Sequence, residues 1–151
     1  MADLNPMVAG DVPYPQYSVT VTRPISDTLQ IVKGVVYTSD AAGRLVVVST
    51  TLDNGIFQAK ATPLLPAVAA DDDAVQVLTP RTRMIFDDIA GGLVPGEDVI
   101  AISNTTNIVT GSKTSALYLG KVFEIYTRNT DSTRKLVSVS GDKIIVETVQ
   151  A

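Results

Sequence analysis

The chain contains no cysteine, no histidine and no tryptophan, and its aromatic set is limited to five tyrosines and three phenylalanines among 151 residues. Without cysteine there is no disulfide framework, no thiolate metal site, no iron–sulfur cluster and no thiol nucleophile. Without histidine the Ser-His-Asp triad, the imidazole zinc sites and acid–base steps that use a side chain titrating near neutrality are also excluded. Positive charge is in the minority: 12 Lys and Arg stand against 16 Asp and Glu, a formal net charge of −4. Nucleic acid is therefore not expected as a partner, because that interaction rests on clustered positive charge. The uncharged run over residues 12–22 is broken by prolines and by Ser, Thr and Gln, so it does not read as a membrane span. Asp3 and Asp11 stand where a signal peptide needs a basic and then an apolar stretch. The expectation is a soluble chain made in the cytoplasm, with no membrane partner.

What the sequence does have is β-branched residues. Val, Ile and Thr supply 49 of the 151 positions, counted as 21, 11 and 17. Such side chains are stiff at χ1 and pack well on a pleated surface, so the composition predicts an all-β fold. A chain of this length forms one domain that buries roughly 70% of its unfolded surface.

Residues 1–16 differ from the rest. Pro6, Pro13 and Pro15 prevent a helix or a central strand, while Leu4, Met7, Val8, Val12 and Tyr14 make the segment more apolar than a solvated tail. It reads as an extended N-terminal arm on a single β domain of residues 17–151. Strand signals then arrive about every ten residues: 17–22, 29–38, 43–50, a short piece through Lys60, 74–79, 82–86, 97–102, 106–110, 119–127, 135–140 and 143–149. Turn chemistry separates them at 39–42, at Asp53-Asn54-Gly55, at 103–105, at 128–131 and at Gly141-Asp142. The spacing predicts a small β-barrel or β-sandwich. Residues 64–70 and 112–117 are the only helical candidates.

The chemistry-bearing residues are few. Asp71-Asp72-Asp73 lacks the alternating oxygens and distal Glu of a calcium loop and reads as a solvated loop before the next strand. Asp87-Asp88 and Glu97-Asp98 are adjacent carboxylates, and neighbours on an extended chain point apart, so surface acids are the expectation. Arg81 and Arg83 are spaced to share one face of a strand, where they suit a carboxylate or phosphate clamp or, more commonly, salt bridges within or between subunits. Gly91-Gly92 forms no phosphate loop, and the five tyrosines are dispersed rather than gathered as a stacking platform. No catalytic, cofactor-binding or metal-binding set is predicted.

Several segments together resemble a known family. They are VKGVVYTSDAAGRLVVVST at 32–50, IFQAKATPLLP at 56–66, VQVLTPRTR at 75–83, LVPGEDVIAI at 93–102, LGKVFEI at 119–125 and the final KLVSVSGDKIIVETV. This order of strands and turns resembles the head decoration (cement) proteins of tailed viruses, in the group whose core is called a β-tulip. The resemblance implies a non-enzymatic protein on the capsid exterior of the virion, synthesised in the host cytoplasm. It implies as partners the major capsid protein and further copies of the chain itself, a trimer favoured.

The residues are compatible with such work, because decoration relies on contact area and multivalency and requires no pocket. Leu4, Pro6, Met7, Val8, Tyr14 and Tyr17 are the expected capsid- or neighbour-contacting positions of the arm. Prolines have already restricted the unfolded segment, so it docks at modest ordering entropy, and pairing with a neighbour's strand edge is one mode open to it. Arg81 and Arg83 are the expected inter-subunit salt-bridge residues. Two alternatives stay open: another virion β protein such as a tail-tube or baseplate component, and a soluble binding module or small hydrolase built on the carboxylates near Asp71 or Asp87.

Overall fold

A computed structural model of the chain describes residues 8–12, 19–25, 29–52, 55–62, 74–88, 92–102, 106–126 and 142–149. The fold is all-β, with ten strands and no helix among the described residues. The strands are β1 (Thr20–Pro24), β2 (Val36–Ser39), β3 (Leu45–Val47), β4 (Phe57–Ala59), β5 (Ala74–Leu78), β6 (Arg83–Asp88), β7 (Asp98–Ala101), β8 (Ile108–Thr110), β9 (Tyr118–Tyr126) and β10 (Asp142–Thr148). They form two five-stranded antiparallel sheets, ordered β1-β5-β4-β2-β3 and β6-β10-β9-β7-β8.

Both sheets are curled. In the first, Ile25 just after β1 bridges to Leu45 on β3, so the two outer strands meet. In the second, Asp87 on β6 bridges to Asn107 beside β8, and the Asp87 amide donates to the Thr106 carbonyl at 2.9 Å. Bringing the outer strands together shortens the open edges that invite aggregation. Pro24 fits this economy. The Thr79 amide donates to the Val19 carbonyl, so by strand alternation the even-numbered residues of β1 point away from β5. Proline therefore sits where no ladder donor is lost.

The hydrophobic interior is split between the sheets. Tyr37, Leu45, Phe57, Ala59, Val75 and Val77 pack with Ile25 inside the first. Met84, Phe86, Val99, Leu119, Ile144 and Val146 pack inside the second, where Val36, Ile56 and Leu78 from the first sheet join them. Alternation produces this division: on β2, Tyr37 faces one cluster and its neighbour Val36 the other.

The chain passes between sheets once within a very short span. β5 ends at Leu78 in the first sheet and β6 starts at Arg83 in the second. The intervening turn places Arg81 at φ 65, and the Thr82 hydroxyl donates to the Thr79 carbonyl at 2.7 Å. A buried threonine pair fastens the turn to β10: the Thr148 hydroxyl donates to the Thr82 carbonyl at 2.7 Å and accepts from the Thr82 amide at 3.2 Å.

Several expectations are corrected. Residues 112–117 are two successive turns instead of a helix, with the Ser115 amide on the Ser112 carbonyl and the Tyr118 amide on the Ser115 carbonyl. The Ser112 and Ser115 hydroxyls accept from the amides of Thr114 and Leu117, and this local capture of backbone donors competes with helix formation. The run 29–38 is not one strand. Gly34 has φ 88 in a turn closed by the Val35 amide on the Val32 carbonyl, and pairing starts only at Val36. Arg81 and Arg83 do not share a strand face, because Arg81 belongs to the crossing turn. Within the N-terminal segment, residues 8–11 are not extended: the Asp11 amide donates to the Val8 carbonyl, and the Val8 amide to the Asp11 carboxylate. The helical candidate 64–70, the strand 135–140, the turns 103–105 and 128–131 and the start of the 17–22 strand lie outside the described residues.

Candidate interaction surface

The N-terminal segment is anchored on the body at residues 8–12. Ala9 and Gly10 are buried, and Val12 packs against the core of the second sheet. The fit is close: a Cβ on Gly34 would stand 2.6 Å from the Ala9 Cβ, and one on Gly10 would stand 2.7 Å from the Ala59 carbonyl oxygen. The Lys33 ammonium donates to Asp11 at 2.6 Å. Partial burial raises the Asp11 pKa, but the bonds from Lys33 and the Val8 amide outweigh it and hold the carboxyl below its ordinary value. Of the six arm positions, Val8 is described and exposed, beside this anchor. Leu4, Pro6, Met7, Tyr14 and Tyr17 lie outside the described residues.

Asp40, Asp87 and Asp88 are built into the fold, not displayed as surface acids. Asp88, 1% exposed, accepts from the Leu93 amide at 3.1 Å, and Asp87 accepts from the Thr106 hydroxyl at the bridge between β6 and β8. Asp40 accepts from the amides of Ala42 and Arg44, both at 2.9 Å, and so shapes the β2–β3 turn. Asp71 to Asp73 lie outside the described residues.

The outer face of the second sheet carries a row of charges that sequence reading did not assemble. Register places Arg83 on β6 opposite Glu147 on β10, Glu147 opposite Lys121 on β9, and Lys121 opposite Asp98 on β7. The signs alternate across four strands. Lys121 bonds Asp98 at 2.9 Å, and Arg83 approaches Glu147 at 3.5 Å. Arg83 therefore has an ion-pair partner within its own chain. Asp98 also accepts from the Tyr118 hydroxyl at 2.6 Å. That bond, then the Lys121 bond, lowers the Asp98 pKa, while burial and the adjacent carboxylate push Tyr118 up to about 12.

Two irregularities in β9 shape the surface. Val146 pairs with Val122 but Ile145 with Glu124, so Phe123 is the extra residue of a bulge, 38% exposed, with the Arg83 guanidinium 3.7 Å from its ring centroid. The second shift lies where Val99 pairs with Gly120 but Ile100 with Tyr118. There Gly120 has φ 149, and a Cβ would collide with the Glu147 carbonyl.

Beside this row opens a groove of about 330 Å³. Buried Val122 and Thr148 form its base, exposed Phe123 and Val149 supply apolar rim, and Lys113, Lys121, Tyr118 and Glu147 supply polar rim. Of its charged lining residues, Lys113 and Lys121 are cationic and Glu147 is anionic. Compared with models of protein families, with curated proteins and with solved structures, the chain matches none of them.

Proposed function

We propose that this chain is a structural protein of a tailed-virus particle that binds the outer surface of the assembled capsid and stabilises it, acting through contact with the major capsid protein and with its own copies. The observation that carries the reading is the use made of the polar side chains. Asp11, Asp40, Asp87, Asp88 and Asp98 each hold a turn, a strand junction or a neighbouring strand in place. Their carboxylates serve rigidity, and what faces outward is apolar and charged contact surface: Val8, Phe123, Val149 and the charge row. The family resemblance adds support, since its segments include the β2–β3 hairpin, β4, β5, β7 and most of β9 and β10. A module that adheres in many copies gains affinity through multivalency without a deep site.

Co-sedimentation tests the binding step. Purified chain mixed with undecorated capsids is expected to pellet with intact particles and to remain in the supernatant when the shells have been dissociated. Equal recovery in both supernatants overturns the reading.

A further inference from the structure

We infer that the turn at Pro80 and Arg81 is a contact between copies of this chain, in which the Arg81 guanidinium of one copy binds the Glu97 carboxylate of the next. The inference rests on the self-association in the proposed function and is independent of capsid binding.

Arg81, at φ 65, is the one non-glycine residue with positive φ among the described residues. A side chain in this left-handed region crowds its own backbone, whereas glycine adopts it readily. The turn cannot relax, because both of its ends are tied: the Thr79 amide donates to the Val19 carbonyl, and Thr82 is bonded to Thr148 on β10. An arginine thus stands where the backbone asks for glycine, held there by its surroundings. Its side chain does nothing for its own chain. Arg81 is exposed and has no hydrogen bond, ion pair or ring contact among the described residues. Arg83, two residues on, is by contrast stacked on Phe123 and paired with Glu147. A rigidly held, unpaired guanidinium suits a partner's carboxylate, which it grips through two parallel donors. Beside it Val19, bonded to the same turn, is 56% exposed, more than any other large hydrophobic side chain among the described residues.

A second turn of the chain carries the complement. Between β6 and β7, Val94 is 47% exposed, Pro95 and Gly96 are exposed, and the Glu97 amide donates to the Val94 carbonyl at 3.2 Å. The Glu97 carboxylate has no partner among the described residues, because the nearby lysines are engaged elsewhere: Lys121 bonds Asp98, and Lys113 acts on that same carboxylate. Each turn therefore sets an exposed valine beside an unpaired charge, and the two charges are opposite. Docking them takes both valines out of water and joins the charges in a bidentate pair. The two turns are different surfaces, so the contact is heterologous, and its repetition either closes a ring or continues as a filament.

Stability and association are expected to move apart in one variant. Arg81→Gly removes the guanidinium and relieves the backbone, so the full-length chain is expected to melt no lower than wild type while its self-association, read by analytical ultracentrifugation over a concentration series, weakens about tenfold. Unchanged association in Arg81→Gly overturns the inference, and so does a wild-type chain that is monomeric at every concentration. Exchanging the charges is the second readout. Arg81→Glu and Glu97→Arg are each expected to weaken association about tenfold, and the two together in one chain to restore it. A double variant no stronger than the single ones overturns the pairing with Glu97, and it decides the matter where Arg81→Gly melts lower than expected. Co-sedimentation with capsids separates the two readings. If Arg81→Gly loses capsid binding but keeps self-association, the inference is overturned and capsid binding stands. If wild type self-associates through Arg81 and fails to bind capsids, the inference stands and the proposed function is overturned.

Discussion

The side-chain amide of Gln58, on β4 of the first sheet, donates to the backbone carbonyl of Ile85, on β6 of the second, at 2.6 Å. The same nitrogen donates to the Gly34 carbonyl at 3.0 Å, and the residue is fully buried between Val36 and Leu78 in register. One side chain thus fastens the two sheets and the turn that receives the N-terminal segment. The second sheet's outer strand gains a partner for a carbonyl that its own ladder leaves facing outward.

Replacing Gln58 by Leu keeps the volume and leaves two buried carbonyls without this donor. At about 1–3 kcal/mol for each unsatisfied group, the expected loss is about 3 kcal/mol. Urea denaturation measures it. A loss below about 1 kcal/mol would show that the fastening contributes little.

Gly120 and Gly43 separate steric need from backbone need. Both have positive φ, but a Cβ on Gly120 meets the Glu147 carbonyl, whereas one on Gly43 meets nothing within 4 Å. Gly43→Ala is expected to cost about 1–2 kcal/mol from the left-handed backbone alone. Gly120→Ala adds a clash with backbone that cannot move aside, and is expected to cost at least about 3 kcal/mol or to prevent folding. Equal melting temperatures for the two variants would contradict the packing of β9 on β10.

The Tyr118–Asp98 pair makes stability depend on pH in the alkaline range. The Tyr118 pKa rises from 10.0 unfolded to about 12 folded, so between these values the unfolded chain has lost a proton that the folded chain keeps. Stability therefore falls as pH rises from about 10 to about 12, and its full contribution is present below pH 10. Asp98, held below its ordinary value, contributes above that value and loses its contribution as pH falls through the folded pKa. Melting curves of Tyr118→Phe are expected to be flatter than wild type across the alkaline window. Parallel curves would contradict the bond.

Gly34 controls the anchor of the N-terminal segment. A Val side chain there is expected to displace Ala9 and release residues 8–12 from the body. Limited proteolysis reads this directly: cleavage within residues 1–12 is expected to accelerate in Gly34→Val, with the β body surviving. Unchanged cleavage would contradict the docking of Ala9 on Gly34.

The hairpins were legible in the sequence because their information is local. Ser39-Asp40-Ala41-Ala42 lies between two β-branched runs, and β2 and β3 pair across it. The same holds for β7 and β8. What local pattern does not carry is register between distant strands. Arg83 and Glu147 lie 64 residues apart, and Lys121 and Asp98 lie 23 apart, so their row exists only after pairing. The bulge at Phe123 shifts that register again. Gln58 is a polar residue between Phe57 and Ala59, and in a curled sheet packed against a second one it is enclosed along with both neighbours. The anchor at Ala9 and Gly10 was hidden for a different reason. Prolines on both sides mark an extended arm, and only the close approach of Gly34 turns part of it into packed structure.

A chain that reinforces the capsid as proposed raises the temperature at which particles release their genome. Undecorated capsids are heated with and without saturating purified chain while a DNA-binding dye reports release. Decorated particles are expected to release their genome at a higher temperature and to survive osmotic shock in larger number. Identical release temperatures, with the chain demonstrably bound, would contradict the account.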